Sequence, residues 1–237
     1  MKNPLKTGSL LHVDVCGSTQ DVAAELLAKG EKVGAVLARE QTAGRGRFGR
    51  TWHSQPGESL ISTLIFHDYA DHPQPHLIGM SLALAGAGAF YAQVRWPNDL
   101  MICGRKVSGI LTELLPDDKG RRVPVVGMGV NLNQKSFHPE IAEIATSLTL
   151  AHGGEFDAEK VLRLVLERLE ELPEPTSWAA LAPIWGVFDK TPGKQYKLPD
   201  GKLAVAVGVG SEGQLLCSVE GETRAVLAAE ALFGARS

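Results

Sequence analysis

Cysteine is scarce and scattered in this chain. Its 237 residues include 3 cysteines, Cys16, Cys103 and Cys217, an odd number with no C-x-x-C pair. That pattern excludes a disulfide framework and a cysteine-rich zinc site, and it points to a reducing compartment. Long apolar runs are also missing. Nothing approaches the roughly 18 apolar residues of a membrane span, and the opening MKNPLKTGSLLHVDVCGS has no apolar stretch fit for a signal peptide. A cytoplasmic protein with no membrane partner is the expectation. Nor is there an excess of positive charge: the formal net charge is −3 and the pI is near 6.2, which argues against bulk attraction to DNA or RNA. No G-x-x-x-x-G-K-[ST] phosphate loop occurs.

What is present suits a globular enzyme-sized chain. With 44% hydrophobic and 22% charged residues, the balance supplies ample core, and the length allows one large domain or two of unequal size. GSTQDVAAELLAKGEKVG reads as a helix capped at Ser18 or Thr19 and stopped at Gly30. VGAVLA (33–38) and SLISTLIF (59–66) read as strands. HLIGMSLALAGAGAFYA (76–92) is an apolar helix whose Gly79, Gly86 and Gly88 permit close packing. Residues 94–115 read as short strands joined at Pro97-Asn98-Asp99 and Gly104-Arg105, and 123–133 as a buried, Gly-interrupted strand with a close approach to its backbone. If that last strand lies at a sheet edge, two subunits can pair there. DAEKVLRLVLERLEEL (157–172) is an amphipathic helix. After PEPTS (173–177) and a short helical WAALAPIW, turns divide the tail into short strands. The expected fold is α+β: a mixed sheet with packed helices in residues 1–188, and a small all-β unit in 189–237.

One stretch stands out. GRGRFGRTW (44–52) sets Arg45, Arg47 and Arg50 among Gly44, Gly46 and Gly49, spelling G-x-G-x-x-G. A dinucleotide turn requires a helix next. Here RTWHSQPGES follows, with Pro56 and Gly57, and leads into a strand; the same pattern recurs as GVGSEG in the β tail. The dinucleotide reading fails. What remains is a flexible backbone carrying guanidinium forks that fit phosphate or carboxylate. It reads either as a lid over an anion or as a solvated basic hairpin tip.

Nearby residues carry the same ambiguity. Lys106 is either an edge charge or a charge for an anion, and Gly109 keeps space beside it. Asn98 and Asp99 are either turn formers or an amide and carboxylate for a magnesium–phosphate assembly. Trp52 and Trp96 suit a core or a base stack, and Asn131 a strand-end cap or a ligand contact.

In order and spacing, STQ, EQTAGRGRFGRTW, RWPNDL, GRKVSGILTEL and VGMGVNLN resemble the biotin protein ligase family over roughly residues 10–135. The resemblance implies a class II synthetase-like catalytic domain with a C-terminal barrel of the Src-homology-3 type. It implies biotin and ATP as substrates, with Mg²⁺, and the biotin carboxyl carrier domain of a carboxylase as partner. Carried over by motif, Ser18, Thr19, Gln20, Gln41, Arg45, Gly46, Arg47, Lys106 and Gly109 serve biotin, and Lys106 and Arg47 are the catalytic charges. Arg47, Arg50, Trp52, Asn98, Asp99 and Asn131 serve ATP, with Asp99 the candidate metal ligand. Gln20 departs from the Asn or apolar residue expected in many relatives. Because GST begins at residue 17, the chain resembles the group without an N-terminal helix-turn-helix domain, and no DNA binding is expected. The rival readings are a lipoate–protein ligase or related acyl transferase of the same broad fold, and a nucleic-acid module built on the arginine tip.

Overall fold

Ser18 opens the first helix: its hydroxyl accepts from the Gln20 N–H at 3.3 Å, and Asp21 sits in the first turn. Asp157 caps another helix in the same way through the Lys160 N–H at 2.9 Å. The computed structural model describes residues 1–198, 200–226 and 232–233. The helices are α1 (Thr19–Ala28), α2 (His76–Phe90), α3 (Leu148–His152), α4 (Ala158–Glu170) and α5 (Trp178–Phe188). The strands of the larger sheet are β1 (Ser9–Cys16), β2 (Val33–Gln41), β3 (Ser59–Ile65), β4 (Gln93–Arg95), β5 (Asp99–Ile102), β6 (Arg105–Pro116) and β7 (Arg122–Asn131). They lie in the order β1-β2-β3-β7-β6-β5-β4; β1 and β2 run parallel and the other pairs antiparallel. The sheet is mixed, as expected.

Alternation along the strands separates two faces. Ala35 and Leu37 of β2, and Val126, Met128 and Val130 of β7, join the large core with α2 and α4. Val36, Val123 and Val125 face the other way and pack with Ala23 and Leu27 of α1. Gly127 and Gly129 continue the row of Val123 and Val125, beyond the part where the α1 apolar side chains pack. This leaves a floor without side chains.

Helix α2 is buried nearly all round, and two of its glycines are needed for that. A Cβ on Gly79 would sit 2.1 Å from Thr112 Oγ1, and one on Gly86 2.7 Å from Leu100 Cδ1. Gly88, expected to serve the same purpose, faces nothing within 4 Å. The strand near 123–133 is also placed differently from the edge reading. β7 is paired on one side with β3 and on the other with β6, so it offers no edge to a second subunit. The ends of that sheet are β1 and β4.

The tail forms β8 (Gln195–Lys197), β9 (Leu203–Val209), β10 (Leu215–Val219), β11 (Glu222–Val226) and β12 (Leu232–Phe233), an antiparallel sheet ordered β11-β10-β9-β8-β12. Residues 199, 227–231 and 234–237 of the expected tail unit lie outside the described residues. Tyr196, Ala204, Leu215 and Cys217 join the same core as α2 and α4. The tail is therefore packed into the larger body through side chains that would otherwise be solvated.

Candidate active site

The floor of the cleft is a row of cross-strand neighbours. Register aligns Arg95 with Asp99, Asp99 with Gly109, Gly109 with Gly129, and Gly129 with Ile61. Directly opposed residues share a face, so charge at one end of the row gives way to two glycines and then to apolar surface. Trp52 lies on the glycines: a Cβ on Gly129 would sit 2.4 Å from its Cε2, and one on Gly109 3.3 Å from its Cζ3.

Lys106 reaches this face through a β-bulge. Leu100 pairs with Ser108 but Met101 pairs with Lys106, which leaves Val107 as the extra residue on β6. Strict alternation would put Lys106 and Gly109, three residues apart, on opposite faces. The bulge brings them together, and a Cβ on Gly109 would lie 3.1 Å from Lys106 Nζ. The expected space beside Lys106 is thus real. The ammonium is 2.6 Å from Asp99 Oδ1 and 5.8 Å from the Trp52 ring centroid. Arg95 Nη2 stands 2.5 Å from the other carboxylate oxygen. Burial alone would raise the Asp99 pKa, but Lys106 and Arg95 outweigh it and hold the carboxyl below its ordinary value.

The arginine stretch forms a tight hairpin over this floor. Arg45 and Thr51 pair as a bridge, Trp52 N–H donates to Gly44 O at 3.0 Å, and Arg47–Gly49 makes one 3₁₀ turn. Gly49 has φ +70°, a conformation side chains disfavour. Arg47 points inward to Asn98 Oδ1 at 3.5 Å. Burial pulls its guanidinium down from the usual value, while Asp99 and Tyr196 act in the opposite direction. Arg45 instead turns to acids, with Nη1 2.5 Å from Asp21 and Nη2 3.4 Å from Glu113. A freely solvated basic tip is not what these contacts describe.

The opposite wall comes from the start of α1. Gln41 Oε1 accepts from the Thr19 N–H at 2.8 Å and the Thr19 hydroxyl at 3.2 Å, and Thr63 donates to Thr19 at 2.7 Å. Gln20 donates to Leu111 O at 3.3 Å above Gly127. Asn98 is strapped to β6 by its amide on Ile110 O.

The residues assigned to biotin and to ATP all line this one cleft, except Asn131. Asn131 is buried and donates to Thr146 O at 3.0 Å. Thr146 N–H in turn donates to Lys106 O at 2.9 Å. Its observed contact is with the segment that backs Lys106. Both oxygens of Asp99 face cations, and among the described residues no three His, Cys, Asp or Glu converge.

Two contributions escaped the sequence. Gly127 and Gly129 were legible as close-approach glycines, but not what approaches them. Tyr196, from β8, also lines the cleft, and its hydroxyl donates to Trp96 O at 2.8 Å. Nothing in the local sequence around Tyr196 signals that reach.

Comparison with known proteins places the sequence and the fold in one family. Residues 13–133 match the model of the Biotin/lipoate A/B protein ligase family. The chain is 31% identical over 249 residues to the "Bifunctional ligase/repressor BirA" of Bacillus spizizenii, covering 99% of this chain and 77% of that one. It is 28% identical to the "Biotin--[acetyl-CoA-carboxylase] ligase" of Mycobacterium tuberculosis, over 92% and 87% of the two chains. A solved biotin protein ligase of Aquifex aeolicus, in complex with biotin and ATP, superposes with a TM-score of 0.75 at 28% identity, covering 94% and 97%. With the family match on residues 13–133 and a relative aligned along nearly the whole chain, this protein belongs to the biotin/lipoate A/B protein ligase family.

Proposed function

We propose that the cleft is the shared biotin and ATP site of a biotin protein ligase, and that its residues divide the work as follows. Ser18, Thr19, Gln20 and Gln41 form the polar wall for the biotin ring. The hairpin of Arg45, Gly46, Arg47 and Arg50 closes over the substrates. Lys106 stands where the biotin carboxylate and the α-phosphate meet, with Gly109 leaving it room. Trp52, Asn98 and Asp99 frame the nucleotide side. The observation that carries the reading is Lys106: its ammonium sits at the floor of a cleft roofed by the arginine hairpin.

The chemistry follows from the charges. A biotin carboxylate oxygen attacks the α-phosphorus of ATP, the bond to the bridging oxygen of the β-phosphate breaks, and pyrophosphate leaves. Two anions must approach, so positive charge from Lys106 and Arg47 at the reacting oxygens lowers the barrier. The resulting biotinyl-5′-adenylate is prone to hydrolysis, and the hairpin shields it from water. The ε-amine of an acceptor lysine then attacks the acyl carbon, the bond to AMP breaks, and the amine loses a proton as the amide forms. The acceptor is a biotin carboxyl carrier domain, in keeping with the carboxylase in the name of the mycobacterial relative. Magnesium, expected with ATP, would offset the charge of the phosphates. Residues 1–188 make up the catalytic domain in this proposal, and 189–237 the small β domain.

The deciding experiment incubates the protein with ATP, biotin and a carrier domain and reads biotin on the carrier by mass spectrometry. The expected result is ATP-dependent labelling of one lysine. Tight lipoate binding with none for biotin would overturn the assignment. Lys106→Ala is expected to cut pyrophosphate release by at least 100-fold, about 2.7 kcal/mol of transition-state stabilisation, in a chain that still folds. Near-normal release by that variant would remove Lys106 from its role.

A further inference from the structure

Arg95 belongs to the RWPND stretch, yet neither the biotin nor the nucleotide assignment uses it. It lies on β4 directly opposite Asp99 in register, and its side chain retains only 12% exposure. Asp99 is shared: Arg95 Nη2 is 2.5 Å from Oδ2, and Lys106 Nζ is 2.6 Å from Oδ1. Arg47 from the hairpin and Tyr196 from β8 also act on this cluster. Burial raises the Tyr196 phenol well above its ordinary value, so it stays neutral.

Lys106 and Asp99 alone form a neutral pair, which an incoming carboxylate or phosphate would meet. Arg95 sets a second cation against Asp99, on the oxygen that Lys106 does not touch, in surroundings where charge is poorly screened. It also fixes the carboxylate from behind, so that one oxygen remains aimed at Lys106. We infer that Arg95 is a positioning residue that neutralises the far oxygen of Asp99 and so leaves the Lys106 charge available to an anion in the cleft. This rests on the ligase reading above.

The test compares R95M, R95Q, R95K and R95M/D99N with the unaltered chain. Biotin-dependent pyrophosphate release is measured at saturating ATP, alongside calorimetric titration with ATP alone. R95M is expected to release pyrophosphate at least tenfold more slowly. R95K, which keeps the charge, stays within about threefold of wild type. Adding D99N to R95M restores part of the rate, because it removes the uncompensated anion; a purely structural ion pair predicts no such recovery. R95Q keeps a donor for Asp99 without the charge, so it carries the same expectation as R95M if R95M does not fold. R95M at the wild-type rate, R95K as slow as R95M, or a double variant no faster than R95M would each overturn the inference. An unaltered chain that releases no pyrophosphate with biotin overturns the ligase reading instead. Arg95 is then judged by ATP affinity, where a tenfold loss in R95M supports the inference and an unchanged value sinks it.

Discussion

Gly129 lies beneath the indole of Trp52, whose Cε2 would be 2.4 Å from a Cβ at that position. Its neighbours on the row, Gly109 and Asp99, put that indole beside Lys106. Gly129→Ala forces Trp52 off the floor and into the space meant for substrate. Overpacking of this kind costs about 1–3 kcal/mol, and each kcal/mol lowers Tm by roughly 2–4 °C in a chain of this size. The expected outcome is a drop of pyrophosphate release of about tenfold or more with a modestly lowered melting temperature. Unchanged release would mean that the seating of Trp52 does not matter to the cleft.

Elements were more legible than their placement. The cap Ser18, the apolar stripe of α4 and the apolar runs of β2 and β3 are local properties, and the helices and strands expected from them are present. Sheet order is not local. The strand at 123–133 has the same Gly-interrupted pattern whether it lies at an edge or in the centre, and only its pairing with both β3 and β6 decides the matter. The arginine hairpin shows the same division. Its lack of a following helix was evident from Pro56 and Gly57. That Arg47 turns inward while Arg45 binds Asp21 and Glu113 depends on where α1 and β6 lie.

Across the molecule, the tail sheet and the larger body meet at the turn that carries Asn98 and Asp99. Trp96 is held there by three hydrogen bonds from the tail: its N–H to Thr191 Oγ1 at 2.9 Å, its indole N–H to Gly213 O at 2.9 Å, and its carbonyl from the Tyr196 hydroxyl at 2.8 Å. Each is buried, so an unmet partner is costly. Tyr196→Phe leaves the Trp96 carbonyl without this donor and is expected to cost about 1–3 kcal/mol in urea unfolding. The ATP KM should rise severalfold while the carrier lysine still receives biotin. An ATP KM equal to that of the unaltered chain would show that the tail does not steady the nucleotide side.

The sequence by itself determined most of the helices and strands and the α+β class, because these follow from side-chain type and short-range spacing, which no distant contact has to supply; β1 and α3 were not expected from it. The residues proposed for the cleft came from the family resemblance rather than from spacing. Only the tertiary structure decided which strands neighbour one another and how the tail reaches the site. It also decided that Val107 is a bulge, which brings Lys106 to the face that Gly109 keeps open. The physical reason is that pairing register and close packing are relations between segments remote in the chain. Arg95, Asp99, Gly109 and Gly129 form one row only once four strands have aligned.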